Sequence, residues 1–393
     1  MMVKILNILN TSISRFAQNA LLIFVFITSF FCHMTWANKA DITINNAPDK
    51  IHVLLVNPSI ENDPFWQKIE VITEQAAVEL DINLTIIHGH GTRFFQLEEL
   101  KKYFNKNPAP DYIILINYPG NAKVSMDFMQ QHKVKVKVKV ITLEQTITKE
   151  EKNIIGDPGE IYKNWLGEIY FDNASAGYLL AKGLINLAKK ANKKPIVAGI
   201  SGHHGSESSL RNSGLQKAIY ESGAHLTQIV HAGWSYEDAY KKTHKLLQRY
   251  PNINIIWCAS DHMALGAVKA IEDSGKKVGV DILIGGFDWT PKGINSIYNK
   301  KLSASIGGHF MMGALAIIAI YNEEQGISHN IFVNGQHNSF ELSLITQKNI
   351  SHHIKLLQTD RLSQVSFKKL ALLYQNNDSL TSFSILEILD KSH

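Results

Sequence analysis

From residue 51 onward the chain alternates short apolar runs with longer segments whose apolar positions recur every three or four residues. His52 to Val56 is apolar and stops at Asn57-Pro58, whereas Phe65, Ile69, Ile72, Ala76 and Leu80 fall at helical spacing. Leu84 to Ile87 then predicts a strand, Gln96 to Phe104 a helix, Asp111 to Ile116 a strand, Val124 to Gln131 a helix and Val138 to Leu143 a strand ending at Glu144. A second series opens at Asp172-Asn173 with a helix over Ala174 to Leu187. It continues through strand Pro195 to Ile200, helix Ser208 to Ser222, strand His225 to His231 and helix Tyr236 to Arg249. Such alternation argues for parallel, doubly wound sheets with helices on both faces.

The stretch from Asn252 to Asp288 carries the most chemistry. Ile255-Ile256-Trp257 ends in Ser260-Asp261-His262, a helix pattern runs from Met263 to Asp273, and a second apolar run closes on Gly285-Gly286-Phe287-Asp288. Ligands of open parallel sheets bind beyond the carboxyl ends of the strands, so Asp261 and Asp288 are both expected at such an edge. A short helix, the strand Ala304 to Gly307 and the helix Met311 to Asn322 follow, and then a less regular tail.

This segment resembles the type I periplasmic binding proteins of the ribose and galactose class, whose matching stretch reads roughly N-D-x-M-A-L-G-A … G-F-D. Two further stretches carry the likeness: Asn62-Asp63-Pro64-Phe65-Trp66, similar to N-N-P-F-F/W, and Gly202 to Arg211, similar to G-x-x-G-S-x-x-x-x-R. The resemblance covers roughly residues 51–345. It implies an α/β fold of two similar doubly wound parallel-sheet lobes joined by a three-crossing hinge. The lobes would be 50–172 with 306–338 and 173–305 with 339–350, followed by a tail over 351–393. The crossings would lie near 171–173, 305–308 and 336–342.

The same resemblance implies a ligand site made of Asp63, Phe65, Trp66, Glu144, Arg211, Trp234, Ser260, Asp288 and His309. Flat aromatic rings suit the C–H faces of a sugar, while its hydroxyls need charged and amide partners. A guanidinium offers five donors in a planar fork, suited to vicinal hydroxyls or a carboxylate. The residues also have blander readings. Asp63 before Pro64 is a good N-cap and N1 pair, Asp261 can cap a helix, and the Gly202 to Arg211 stretch can be a βα turn with a capping serine. Trp234 matches a hinge-side aromatic of the family. Asp63 stands where the family often has Asn, Glu144 where it has Asp, Gln145 where ribose-type members have Arg, and Ser260 where many relatives have Asn. Gly308-His309 replaces the family's late glutamine, which puts ribose itself in doubt.

Two stretches fit less well. Lys133 to Val140 is a strict Lys-Val repeat, either an edge strand with a lysine face or an expansion that lengthens one strand's start. Thr146 to Glu168 is longer than a βα connection should be. Its Gly156, Pro158, Tyr162, Trp165 and Gly167 resemble an extra segment of members that work with sensor kinases.

The N-terminus adds a compartment. Lys4 and Arg15 are the only charges before Lys39, an apolar core runs from Ala20 to Phe31, and Thr35-Trp36-Ala37 supplies a small-residue site. Residues 1–37 therefore read as a signal peptide cleaved near Ala37; the core of about a dozen residues is short of the ~20 that span a bilayer. Only Cys32 and Cys258 are present among 393 residues, so the mature chain has no internal disulfide, and Cys258 reads as a buried small residue. The formal charge of +5, less Lys4 and Arg15, leaves +3, too little to imply nucleic acid or anionic lipid. Seventeen histidines invite a metal, but the sequence has no H-E-x-x-H and its one H-x-H, His88-Gly89-His90, lacks a third ligand nearby. No nucleophile elbow or P-loop ending is present. The expectation is a monomeric periplasmic binder of a sugar or sugar-like polyol, without enzyme activity, cofactor or metal. It would present its ligand to an inner-membrane ABC permease or to a sensor kinase or cyclase, and Thr146 to Glu168 with the missing glutamine tilt the choice slightly toward sensing. A repressor of the LacI type shares the two-lobed core but needs a DNA-binding segment where the signal peptide stands.

Overall fold

The computed structural model describes residues 50–60, 63–90, 94–131, 138–327, 337–362, 364–376 and 385–391. The expected signal peptide with Cys32, Asn62 and residues 133–137 of the Lys-Val repeat lie outside them.

Two six-stranded sheets share one plan. In the first, β1 (His52–Asn57), β2 (Asn83–His88), β3 (Tyr112–Ile116), β4 (Lys139–Glu144), β5 (Trp165–Phe171) and β11 (His337–Phe340) lie in the order β2-β1-β3-β4-β5-β11. All of these pairings are parallel. In the second, β6 (Ile196–Ser201), β7 (His225–His231), β8 (Ile255–Cys258), β9 (Leu283–Phe287), β10 (Ala304–Gly307) and β12 (Ser343–Thr346) lie in the order β7-β6-β8-β9-β10-β12. Only β12 runs antiparallel, against β10. Central strands covered on both faces should be apolar throughout, and β3 and β8 are buried along their whole length.

The helices follow their sequence signals closely. Helix α1 (Pro64–Glu79) starts at Asp63, whose carboxylate accepts the amides of Phe65 and Trp66, and it buries Ile69, Ile72, Thr73 and Ala76. Helices α2 (Phe94–Lys106) and α3 (Asn121–Gln131) complete the first half of that lobe. In the second lobe α5 (Asn173–Lys190), α6 (Ser206–Ser222), α7 (Tyr236–Arg249), α8 (Asp261–Asp273) and α9 (Pro291–Tyr298) alternate with the strands.

The stretch expected to be an over-long connection folds differently. Residues 149–155 form α4 (Lys149–Ile155), closed by a capping box between Thr148 and Glu151, and Trp165 opens β5, a fifth strand of the first sheet. Trp165 is buried and donates to Thr142 Oγ1 at 3.2 Å, while Tyr162 donates to Asp127 at 2.6 Å. The strand was hidden in the sequence because Glu168 interrupts its apolar run. That carboxylate is fully buried and accepts from Thr146 Oγ1 and the Ile147 amide at 2.8 and 3.1 Å.

The chain passes between the sheets at Asp172, at Gly308 and at Glu341-Leu342. Residues 306–307 therefore belong to the second sheet and 339–340 to the first, each a small correction to the expected lobe boundaries. Helix α10 (Met312–Glu324) is apolar almost all round and buried accordingly, packing on α1. The tail beyond it is more regular than its pattern suggested. Helix α11 (Ile350–Leu357) packs on α9, and α12 (Phe367–Asn376) returns to α10 and α1. Glu79, at the end of α1, accepts from Ser366 Oγ and the amides of Phe367 and Lys368, a carboxylate placed on the positive end of α12. Helix α13 (Ile385–Lys391) sets Ile385 against Gly308, whose φ of +117° and lack of room for a Cβ both require glycine.

Candidate functional site

The carboxyl ends of the two sheets face a common cavity of about 680 Å³, lined by Pro58 to Ile60, Asp63 to Trp66, Tyr118 and Glu144 from the first lobe. His203, His204, Gly205, Glu207, Arg211, Gly233 to Ser235, Ser260, His262, Asp288 and Thr290 line it from the second. Strand order explains the convergence. Neighbours of β1 and of β6 leave their sheets in opposite directions, which opens a crevice beyond the strand ends in each lobe.

Arg211 is the most elaborately held of these residues. It sits in α6, and α5 and α6 approach so closely that a Cβ at Gly177 or Gly214 would meet the backbone of the other helix. That contact presses the arginine toward the cavity wall, where it is 4% exposed. Its Nε donates to Asn173 Oδ1 and its Nη1 to the Ala259 carbonyl, both at 2.7 Å. The guanidinium lies 3.9 Å from the centre of the Phe287 ring and 5.6 Å from that of Trp234. Asp288 Oδ1 stands 3.8 Å from Nη1, an ion pair almost wholly out of water.

His309 lies behind Asp288. Its ring is sandwiched between Phe65 and Phe171, each centroid 4.7 Å away, and no part of it is exposed. Nε2 is 3.3 Å from Asp288 Oδ1, in ion-pair range but without hydrogen-bond geometry. Burial pulls its proton affinity down, and Asp288 opposes that. The structure thus brings eight of the nine expected residues to the cavity wall and puts the ninth, His309, behind it.

Glu144 ends β4 with φ +79°, and Asp288 and Trp234 also hold positive φ, at +103° and +65°. Such conformations cost about 1–3 kcal/mol each for residues other than glycine and cluster at ligand clamps. Glu144 is 6% exposed, and its Oε2 has no hydrogen-bond partner among the described residues. Burial raises its pKa to about 8; Glu207 and Asp288 add to the rise, and Arg211 opposes it.

Several expectations change. Asp261 does not reach the cavity. It is fully buried and accepts from Ser305 Oγ at 2.7 Å and from the Thr290 amide at 2.9 Å, tying the ends of β8, β9 and β10 together. The cap of α8 is Ser260 instead, accepting from the Met263 amide at 3.2 Å, so one lone pair of this wall residue is already engaged. Trp234 is not on the hinge side, since it follows β7, the strand farthest from β10 and β12. Asp63 combines both of its readings, capping α1 and lining the cavity. His88 turns to Glu70 at 2.7 Å and His90 to Glu99 at 3.2 Å, so the H-x-H pair diverges onto separate carboxylates.

Sequence reasoning passed over Tyr118, Glu207, Thr290 and the three wall histidines as site residues. Tyr118, Glu207 and Thr290 closely follow strands β3, β6 and β9, a signal the strand-end rule carries. It also missed how the lobes touch. Gln145, just past β4, accepts from Ser206 Oγ at 2.8 Å and donates to Glu207, both at the start of α6. Lys68 of α1, fully buried, donates to the Trp289 carbonyl at 2.8 Å and lies 4.3 Å from the Phe310 ring centre. These two links join the lobes.

Comparison with known proteins agrees with this architecture. The ribose import binding protein of Salmonella typhimurium is 25% identical over 262 residues, 66% of this chain and 80% of the relative. A periplasmic sugar-binding protein from Pseudomonas fluorescens superposes with a TM-score of 0.72 at 25% identity, covering 86% of this chain and 99% of its own. A periplasmic solute-binding protein from Actinobacillus succinogenes, solved with bound D-allose, superposes with a TM-score of 0.64 at 22% identity, covering 77% and 100%. Residues 53–326 match the periplasmic binding protein domain, and the chain belongs to that family.

Proposed function

We propose that this protein is a periplasmic solute receptor that closes its two lobes on a sugar or sugar-like polyol and hands it to a membrane partner, with no chemistry of its own. The observation that supports this best is the composition of one cavity wall. Phe65 and Trp66 offer apolar ring faces from one lobe, while Arg211 and Asp288 offer a donor fork and an acceptor from the other. That pairing suits a molecule with C–H faces and a rim of hydroxyls. Contacts from both lobes make ligand binding and hinge closure one event. The proposed contact set is Asp63, Phe65, Trp66, Glu144, Arg211, Trp234, Ser260 and Asp288, with His309 acting from behind Asp288.

The partner we favour is an ABC permease, because the Salmonella typhimurium relative is a ribose import binding protein and the Actinobacillus succinogenes neighbour an ABC transporter solute binding protein. Sensing is the second reading. Its sequence support lay partly in residues 146–168, which here build α4 and start β5 and so need no partner to account for them. We also propose a monomer, exported by a signal peptide cleaved near Ala37. Calorimetric titration of the purified protein against a panel of pentoses, hexoses and polyols tests the reading. Saturable one-to-one binding of a member supports it; turnover of a glycoside, lost in Glu144→Gln, reverses it.

A further inference from the structure

The charges facing the cleft do not balance. Among the described residues, Glu144, Glu207 and Asp288 line it against a single guanidinium, Arg211, with His203, His204 and His262 also titratable on the wall. Asp63 is a fourth carboxylate, already matched to the amides that open α1. Arg211 is spread thin, with Nε given to Asn173, Nη1 to the Ala259 carbonyl, and Asp288 as its ion-pair partner at 3.8 Å. That leaves Glu144 as the conspicuous group: buried, on the cavity wall, with Oε2 lacking a hydrogen-bond partner among the described residues. A buried carboxylate oxygen without a donor is costly, and a cation that also donates hydrogen bonds relieves it best. A neutral hydroxyl would leave Glu144 held as its neutral acid, with Glu207 and Asp288 still facing Arg211 as the one guanidinium of the described wall. An acidic sugar would add a further negative charge.

We propose that the ligand is a sugar or polyol carrying a protonated amine, its ammonium meeting Glu144 and Glu207 while Arg211 and Asp288 hold its hydroxyls. This rests on the receptor function argued above and narrows its ligand. Burial and neighbouring carboxylates keep a proton on Glu144 in the empty cleft at neutral pH, and the arriving ammonium displaces that proton to solvent.

The test is calorimetric titration with D-glucosamine, D-galactosamine and D-mannosamine, each beside its parent hexose, its N-acetyl derivative and, for glucose, the uronate. At least one amino sugar should bind tenfold or more tighter than both its neutral forms. Glu144→Gln should erase that preference, bringing amine and parent hexose within about threefold of each other, and Glu207→Gln, at a partly exposed position, should reduce it. If neutral hexoses bind as tightly as the amines, or the uronate binds best, the amine assignment is wrong and the receptor for sugars stands. If no member of this panel binds, charged or neutral, the amine assignment falls, and the wider panel of pentoses, hexoses and polyols decides the sugar reading separately.

Discussion

The Arg211 guanidinium is stacked 3.9 Å from the centre of the Phe287 ring, and Asp288, the next residue, stands 3.8 Å from its Nη1. One strand end thus supplies both the platform and the counter-charge of the arginine. Removing either charged partner leaves the other buried and unpaired, which typically costs about 2–5 kcal/mol of binding. We expect Arg211→Ala and Asp288→Ala each to weaken ligand binding by roughly 30-fold to several thousand-fold, at ~1.4 kcal/mol per tenfold. His309→Phe, which keeps the aromatic sandwich, should cost much less. Titration calorimetry reads all three, and binding within about threefold of the parent for both charge variants would show the site to be elsewhere.

Gln145 links the lobes through Ser206 and Glu207. Each such hydrogen bond contributes about 0.5–1.5 kcal/mol net. Gln145→Ala should therefore speed ligand release several-fold to tenfold or more while leaving the thermal midpoint nearly unchanged. Stopped-flow dissociation checks this; an unchanged release rate would mean that these contacts do not hold the closed form.

Glu144 makes stability depend on pH in a definite direction. Its carboxyl, ordinarily titrating at 4.5, holds its proton up to about 8 in the folded state, with burial the largest cause and Glu207 next. Between those values the folded chain binds more protons than the unfolded one, so stability falls as pH rises through the window. Glu144→Gln removes that slope. The variant should melt higher than the parent at pH 8.5, by an amount on the order of a few kcal/mol at most, and nearly alongside it at pH 4 to 5. Equal melting differences at both ends would contradict the burial argument.

Protein recovered from the periplasm should begin near Asn38. Intact-mass measurement decides it, and a secreted chain retaining Met1 would exclude cleavage.

Much of this molecule was legible in one dimension. Apolar runs such as His52 to Val56 and Ile255 to Trp257 are strands, the periodic Phe65 to Leu80 is α1, and Asp63-Pro64 starts it, because helix and strand patterning is set by neighbours within a few residues. The strand-end rule pointed to Asp288, and the resemblance to periplasmic binding proteins added Asp63, Trp66, Glu144 and Arg211, all of which line one cavity. What the sequence could not show depends on residues far apart meeting out of water. Glu168 disguised β5 because its polarity makes sense only once Thr146 and Ile147 fold against it. Asp261 and Asp288, equivalent at their strand ends, separate only in three dimensions. One turns inward onto Ser305 and Thr290, and the other faces the cleft beside Arg211 and His309. The packing of α5 on α6 at Gly177 and Gly214, the clasp of Gln145 on α6 and the excess of carboxylates around Glu144 are likewise products of packing. Burial and charge balance are sums over a whole neighbourhood, and that neighbourhood exists only after the chain has folded.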